Sequence, residues 1–171
     1  IRSWDLRKFF ITEQLGELPP GQPEFSSEEV RSVVSEEFRG PGYNSDCTVE
    51  SFEKDGPMIL FTGRASPQKG IDVVFHALPH VIENIPDVKF VFLMIPTPYN
   101  LDQVRFYMDV ARKYPNNVRF VFGIARSFYL LAHHSADIYC CPSKWEPFRI
   151  VALEAMASKL YPMPDIGFPF I

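Results

Sequence analysis

From Met58 onward the chain alternates short, almost uninterrupted apolar runs with longer amphipathic stretches, and few architectures accept that pattern. The runs at 58–62, 88–95, 118–122 and 138–141, with a shorter one at 160–163, have the length of strands. Several are apolar at successive positions, as in strands covered on both faces. Between them, about 70–84, 99–113, 126–134 and 148–158 read as helices. Strand–helix alternation with right-handed crossovers predicts an α/β fold, a doubly wound parallel sheet of Rossmann-like form. Such sheets take ligands beyond the carboxyl ends of their strands, so the loops after these runs are where function belongs.

Residues 1–57 read differently, as a partly helical linker or domain edge ahead of a domain at 58–171. A weak helical pattern covers 4–15, the stretch 16–22 with Pro19 and Pro20 breaks it, and Ser26-Ser27-Glu28-Glu29 has the form of a helix start. That second helix, about 27–38, carries Val30, Val33, Val34 and Phe38 on one face and stops at Gly40-Pro41-Gly42. The chain begins without Met, which reads as a fragment; it shows no signal-peptide form and no apolar run long enough to cross a membrane.

At 171 residues and 46% hydrophobic composition the chain can bury a core. A net charge of −4 argues against nucleic-acid or membrane binding, since no broad basic footprint exists. Phosphate binding would have to come from a few placed cations and helix N-termini. Cys140 and Cys141 are adjacent in a strand and point to opposite faces, which opposes a disulfide between them. With Cys47 they read as reduced core cysteines of a cytoplasmic protein. No zinc-ligand spacing is present, so no metal is expected. His76 and His80 lie four apart on a helix without a third ligand, and His133 and His134 suit the negative end of a helix dipole.

The candidate chemistry lies in two loops. Glu146 sits in a proline-punctuated loop, and Glu154 lies in 150–157, otherwise apolar on every side. A helix apolar all round is a buried helix, which predicts a buried carboxylate in need of hydrogen-bond donors. Arg64 and Lys69 lie in a strand-to-helix loop bracketed by Gly63 and Gly70, and the helix that follows would aim free N–H groups and its positive end at the same region. Such a set can hold a diphosphate; two solvated surface charges would have the same spacing. Arg126, after Gly123, reads more simply as a surface cation.

The loop Glu146-Pro147-Phe148 followed by Leu153-Glu154-Ala155-Met156-Ala157 resembles the paired-glutamate motif of retaining GT-B glycosyltransferases, above all the glycogen and starch synthases. The block Leu60-Phe61-Thr62-Gly63-Arg64-Ala65-Ser66-Pro67-Gln68-Lys69-Gly70-Ile71-Asp72 is similar to that family's nucleotide-diphosphate loop, and the resemblance spans about 56–163. It implies the nucleotide-sugar-binding C-terminal half of a GT-B enzyme of glycogen biosynthesis. That enzyme would transfer glucose from ADP-glucose or UDP-glucose to an α-glucan, with no other cofactor. It assigns Glu146, Arg64 and Lys69 to catalysis, the last two through the diphosphate, and Glu154 to the ribose hydroxyls. Phe148, Arg149 and Ile150 would offer helix N-terminal amides to the phosphate, and Ile124 would lie at the base, read by backbone groups. Arg149 departs from the family, which has Gly there, and 160–171 has a single Gly where the family has a Gly-Gly turn. The acceptor would bind a missing N-terminal domain, so the isolated chain is expected to be inactive. A sucrose-synthesising relative, a non-catalytic nucleotide-binding module and an inactive fragment are the alternatives.

Overall fold

The computed structural model describes residues 3–18, 23–44, 47–145, 150–158 and 161–163. Five strands, β1 (Met58–Arg64), β2 (Lys89–Ile95), β3 (Val118–Phe122), β4 (Ile138–Cys140) and β5 (Tyr161–Met163), form one sheet in the order β3-β2-β1-β4-β5, every pairing parallel. Helices α3 (Ile71–Asn84), α4 (Leu101–Lys113), α5 (Arg126–Ser135) and α6 (Ile150–Ala157) are the crossovers, and α1 (Ser3–Thr12) and α2 (Glu28–Glu37) precede the sheet. This is the doubly wound α/β fold expected from the pattern of runs. The chain winds outward from β1 through β2 to β3, then returns to β4 on the other side of β1. Strand order therefore reverses between β1 and β4, the kind of switch point beside which ligands bind in such sheets.

β1 outruns its apolar segment by two residues because Gly63 and Arg64 keep register with Met94 and Ile95 of β2. Backbone pairing needs no apolar side chain, and it sets Arg64 at the carboxyl end of the strand. The centre of the sheet is aromatic. Phe92 stacks on Phe120 at 4.6 Å, Phe120 on Tyr107 of α4 at 5.5 Å, and Phe75 of α3 meets Phe92, Phe120 and Tyr107 edge-on. Such pairs contribute about 0.5–1.5 kcal/mol each beyond area burial.

The residues before β1 join the same core. Phe10, Ile11 and Leu15, with Val30 and Val34 of α2, are fully buried within it. α1 packs on α5, with Phe10 and Phe128 rings 5.9 Å apart, and α2 packs on α4. Ser27 caps α2 by accepting from Val30 N–H at 3.3 Å. Arg7 donates to both carboxylate oxygens of Asp55 at 2.9 and 3.1 Å and to Asp137 at 3.1 Å. Asp137 in turn accepts from Met58 N–H at 2.8 Å, so one guanidinium braces the entries of β1 and β4.

One expectation is overturned. α6 is not buried all round: among its residues only Ala155 is buried, while Ile150, Leu153 and Met156 are 61%, 60% and 58% exposed. It packs on β5, a strand of three residues at the sheet's edge, so among the described residues only one narrow side of the helix is covered. Glu154 is accordingly exposed rather than buried. His133 lies in the last turn of α5, where the sequence places it, and is packed into the core. It is 1% exposed, between the Tyr129 and Tyr139 rings at 4.4 and 5.2 Å, and neither ring nitrogen has a hydrogen-bond partner among the described residues. Its neighbour His134 is exposed.

Burial pushes the His133 imidazole below its ordinary pKa of 6.5, with Glu154 pulling the other way. The native state therefore holds His133 neutral at pH values where the unfolded chain protonates it. Because the unfolded state then binds more protons, this contribution to stability is full above the ordinary value and is lost as pH falls toward the lowered one. Urea midpoints taken from about pH 7.5 to 5 should fall, and His133→Phe should fall less steeply over that window.

Candidate active site

The loop after β1 is shaped by one glycine. Gly70 has φ of +65°, and a Cβ on it would overlap the Pro142 carbonyl oxygen. Only glycine lets the loops after β1 and β4 lie this close. Three hydrogen bonds hold them together: Lys144 N–H to Gln68 O at 2.9 Å, Gln68 Nε2 to Trp145 O at 2.7 Å, and Lys144 Nζ to Asp72 Oδ2 at 2.9 Å. The Lys144 ammonium holds the Asp72 carboxyl below its usual range, with partial burial opposing. Thus the two sequence blocks meet, and Asp72 and Lys144 serve that meeting.

Beside the clasp a cavity of about 540 Å³ opens at the carboxyl ends of β1, β2 and β3. Arg64, exposed, and Lys69, buried, both border it, and Arg126 at the first turn of α5 adds a third cation. Leu93, Ile95, Val121, Ala125, Leu130 and Val151 make the remaining wall largely apolar. An apolar cleft with a few convergent polar groups is the usual form of a small-molecule site. The first turn of α3 does not contribute as expected: among the described lining residues none comes from 70–73. The Pro142–Trp145 loop lies over that turn instead.

Ile124 also borders the cavity, but its backbone does not face a ligand freely. Ile124 N–H donates to Glu24 O at 2.7 Å and Glu24 N–H donates back to Ile124 O at 3.0 Å. Gly123, at φ of +97°, leaves room for Pro23 and Glu24 to approach. Segment 23–25 thereby pins the loop after β3, and reading of a base edge through the Ile124 N–H is excluded while that bridge stands.

Glu154 is not in the lining, yet it is tied to it. Tyr129, which borders the cavity one turn after Arg126, donates its hydroxyl to Glu154 Oε2 at 2.5 Å. Burial and this hydrogen bond both raise the Tyr129 phenol pKa, so it remains a donor. Thr62, also in the wall, bonds the Tyr139 hydroxyl at 2.9 Å, and Tyr139 stacks on His133 and His133 on Tyr129. Tyr129 escaped the sequence reading because a lone tyrosine on an amphipathic helix reads as core; its position three residues after Arg126 was the available signal. Ile150 opens α6 with its side chain exposed, next to Val151 in the wall. Glu146, Phe148 and Arg149 lie outside the described residues. Among the described residues no three His, Cys, Asp or Glu side chains gather as metal ligands, and no helix is long and apolar enough to cross a membrane.

The fold is a doubly wound α/β domain with a cavity bordered by three cations at the carboxyl ends of its strands. The family model "Glycosyl transferases group 1" matches residues 47–162, and the chain belongs to that family. It is 34% identical over 118 residues to the phosphatidyl-myo-inositol mannosyltransferase of Mycobacterium tuberculosis, a match covering 68% of this chain and 30% of that protein. It is also 34% identical over 101 residues to a probable glycogen synthase of Methanocaldococcus jannaschii, covering 59% of this chain and 19% of that one. The catalytic domain of starch synthase IV from Arabidopsis thaliana, bound to ADP and acarbose, shares the fold with a TM-score of 0.54 at 19% identity, over 90% of this chain and 33% of that one. The chain thus spans a third or less of the length of these relatives. Because mannosyltransferase and glycogen synthase match at equal identity, membership holds for the glycosyltransferase family and not for the glycogen synthase branch in particular.

Two variants test the local geometry. Gly70→Ala forces a side chain into a left-handed position against Pro142 and should cost about 1–3 kcal/mol or more in urea unfolding. Tyr129→Phe frees an exposed carboxylate that water can solvate again, so thermal unfolding should register a change of less than about 1 kcal/mol.

Proposed function

We propose that this chain is the nucleotide-sugar-binding half of a retaining hexosyltransferase. The observation that carries the reading is the convergence of Arg64, Lys69 and Arg126 on one largely apolar cavity at the carboxyl ends of the strands. The cations would bind the donor's diphosphate and offset charge on the departing nucleotide. The apolar wall from β2 and β3 would take the base. Glu154, oriented by Tyr129, would accept from the ribose hydroxyls through the carboxylate oxygen that Tyr129 leaves open. Glu146 would lie at the sugar, and the start of α6 at the phosphate, as the resemblance implies. Fixed donors aimed at the leaving group would supply the electrostatic part of the reaction, while the acceptor would be positioned by polypeptide beyond this domain.

ADP-glucose or UDP-glucose is the donor that the glycogen and starch synthase resemblance favours, with an α-1,4-glucan as acceptor and no metal. The mannosyltransferase match, which covers more of the chain, supports a second reading with a mannosyl donor. Calorimetric titration of the chain with ADP-glucose, UDP-glucose and GDP-mannose separates them. One donor should bind saturably, and Arg64→Ala/Lys69→Ala should weaken it at least about tenfold, the loss of two charge-assisted contacts. Saturable binding unchanged in that double variant would sink the assignment. Incubation of the chain with labelled donor and glucan should give no elongation.

A further inference from the structure

A second cavity, of about 520 Å³, lies at the opposite edge of the sheet, around the amino ends of β2 and β3. Lys89, the first residue of β2, and Arg119, the second of β3, line it. They are only 4% and 5% exposed. Buried charges are ordinarily paired with an opposite charge, yet among the described residues no carboxylate pairs with either.

Their partners are neutral carbonyls. Lys89 Nζ donates to Asn116 O at 2.7 Å. Arg119 donates through Nε to Glu50 O at 2.9 Å and through Nη1 to Pro115 O and Val118 O at 2.5 and 3.0 Å. Among the described residues Arg119 Nη2 makes no hydrogen bond, and Lys89 Nζ keeps two protons to offer. Both cations lean on one ring, with Lys89 Nζ 5.0 Å and Arg119 Cζ 4.4 Å from the Phe52 centroid. Cation–π contact offsets desolvation without neutralising charge. Gly42, at φ of +89°, keeps the guanidinium's space open, since a Cβ there would overlap it. Glu50, Glu53 and Asp87 also border the cavity, but all three are exposed at its rim, where water screens them. Burial lowers the pKa of both cations, with Asp87 opposing it at Lys89 and Tyr43 and Glu50 opposing it at Arg119.

We propose that this cavity is a second anion-binding site, taking a phosphate oxyanion between Arg119 Nη2 and Lys89 Nζ, with exposed Lys54 at its mouth. A guanidinium and an ammonium at one cavity wall supply the forked and point donors that tetrahedral oxyanions accept. The site is separate from the donor cavity, which lies at the carboxyl ends of the same strands.

Inorganic phosphate is the probe, titrated into the 171-residue chain at fixed ionic strength against chloride, with proton–nitrogen spectra as the readout. Saturable shifts are expected at Arg119 Nε–H and at the Lys89 backbone amide. They should persist in Arg64→Ala/Lys69→Ala, which disables the donor cavity, and their apparent Kd should rise at least about tenfold in Lys89→Gln, the loss of one charge-assisted contact. Should Lys89→Gln fail to fold, the wild-type spectra still decide. Shifts confined to Arg64, Lys69 and Gly70, shifts at Arg119 abolished by the Arg64→Ala/Lys69→Ala variant, or no saturable shift at Arg119 would each overturn the proposal.

Discussion

The near contact between Gly70 and the Pro142 carbonyl decides the rest of the site. Strand order reverses between β1 and β4, and the loops leaving these two strands are clasped to each other beside the cavity. Without a glycine at the one left-handed position, the loop after β4 would stand off, and the hydrogen bonds from Lys144 and Gln68 would be lost with it. With the glycine in place, the loop that carries Lys69 is clasped to the Pro142–Trp145 loop beside the cavity that Arg64 and Lys69 border.

The residues ahead of β1 take part in this arrangement to a degree that their composition does not suggest. Arg7 braces the starts of β1 and β4, α1 covers α5, and Glu24 locks the loop after β3 by a two-way backbone bridge. The last of these changes the chemistry available: it uses the Ile124 N–H and leaves side chains, not that amide, to meet a ligand. The sheet carries Arg64, Lys69 and Arg126 around the cavity at its carboxyl ends and two buried cations, Lys89 and Arg119, at its amino ends.

The strands and helices from Met58 onward were legible because burial on both faces demands unbroken apolar runs and because crossover helices keep their 3.6-residue period. Arg64 and Lys69 could be picked out through the motif resemblance, since their spacing between glycines suited surface charges equally well. Glu154 was half legible. Its place in a motif could be read, but its burial could not, since an apolar helix at a sheet's edge shows the same letters as one in a core. The burial of His133 was not legible at all, because nothing near a helix end signals it until α5 is laid against β1 and β4. Thr62 lies in β1 while Arg126 and Tyr129 lie in α5, and only the winding of the sheet brings them to one wall.

What the sequence by itself determined is the local and periodic part: a parallel doubly wound sheet, the loops where a ligand can sit, and the family, because each is written in runs of neighbouring residues. Tertiary structure alone decided which cations share a cavity, that Ile124's amide is already engaged, that Tyr129 holds Glu154, and that Lys89 and Arg119 lie buried without a carboxylate partner among the described residues. Those are contacts between residues 25 to 100 positions apart. Hydrogen bonds and desolvation act through space, and no spacing along the chain encodes them until the strands have paired.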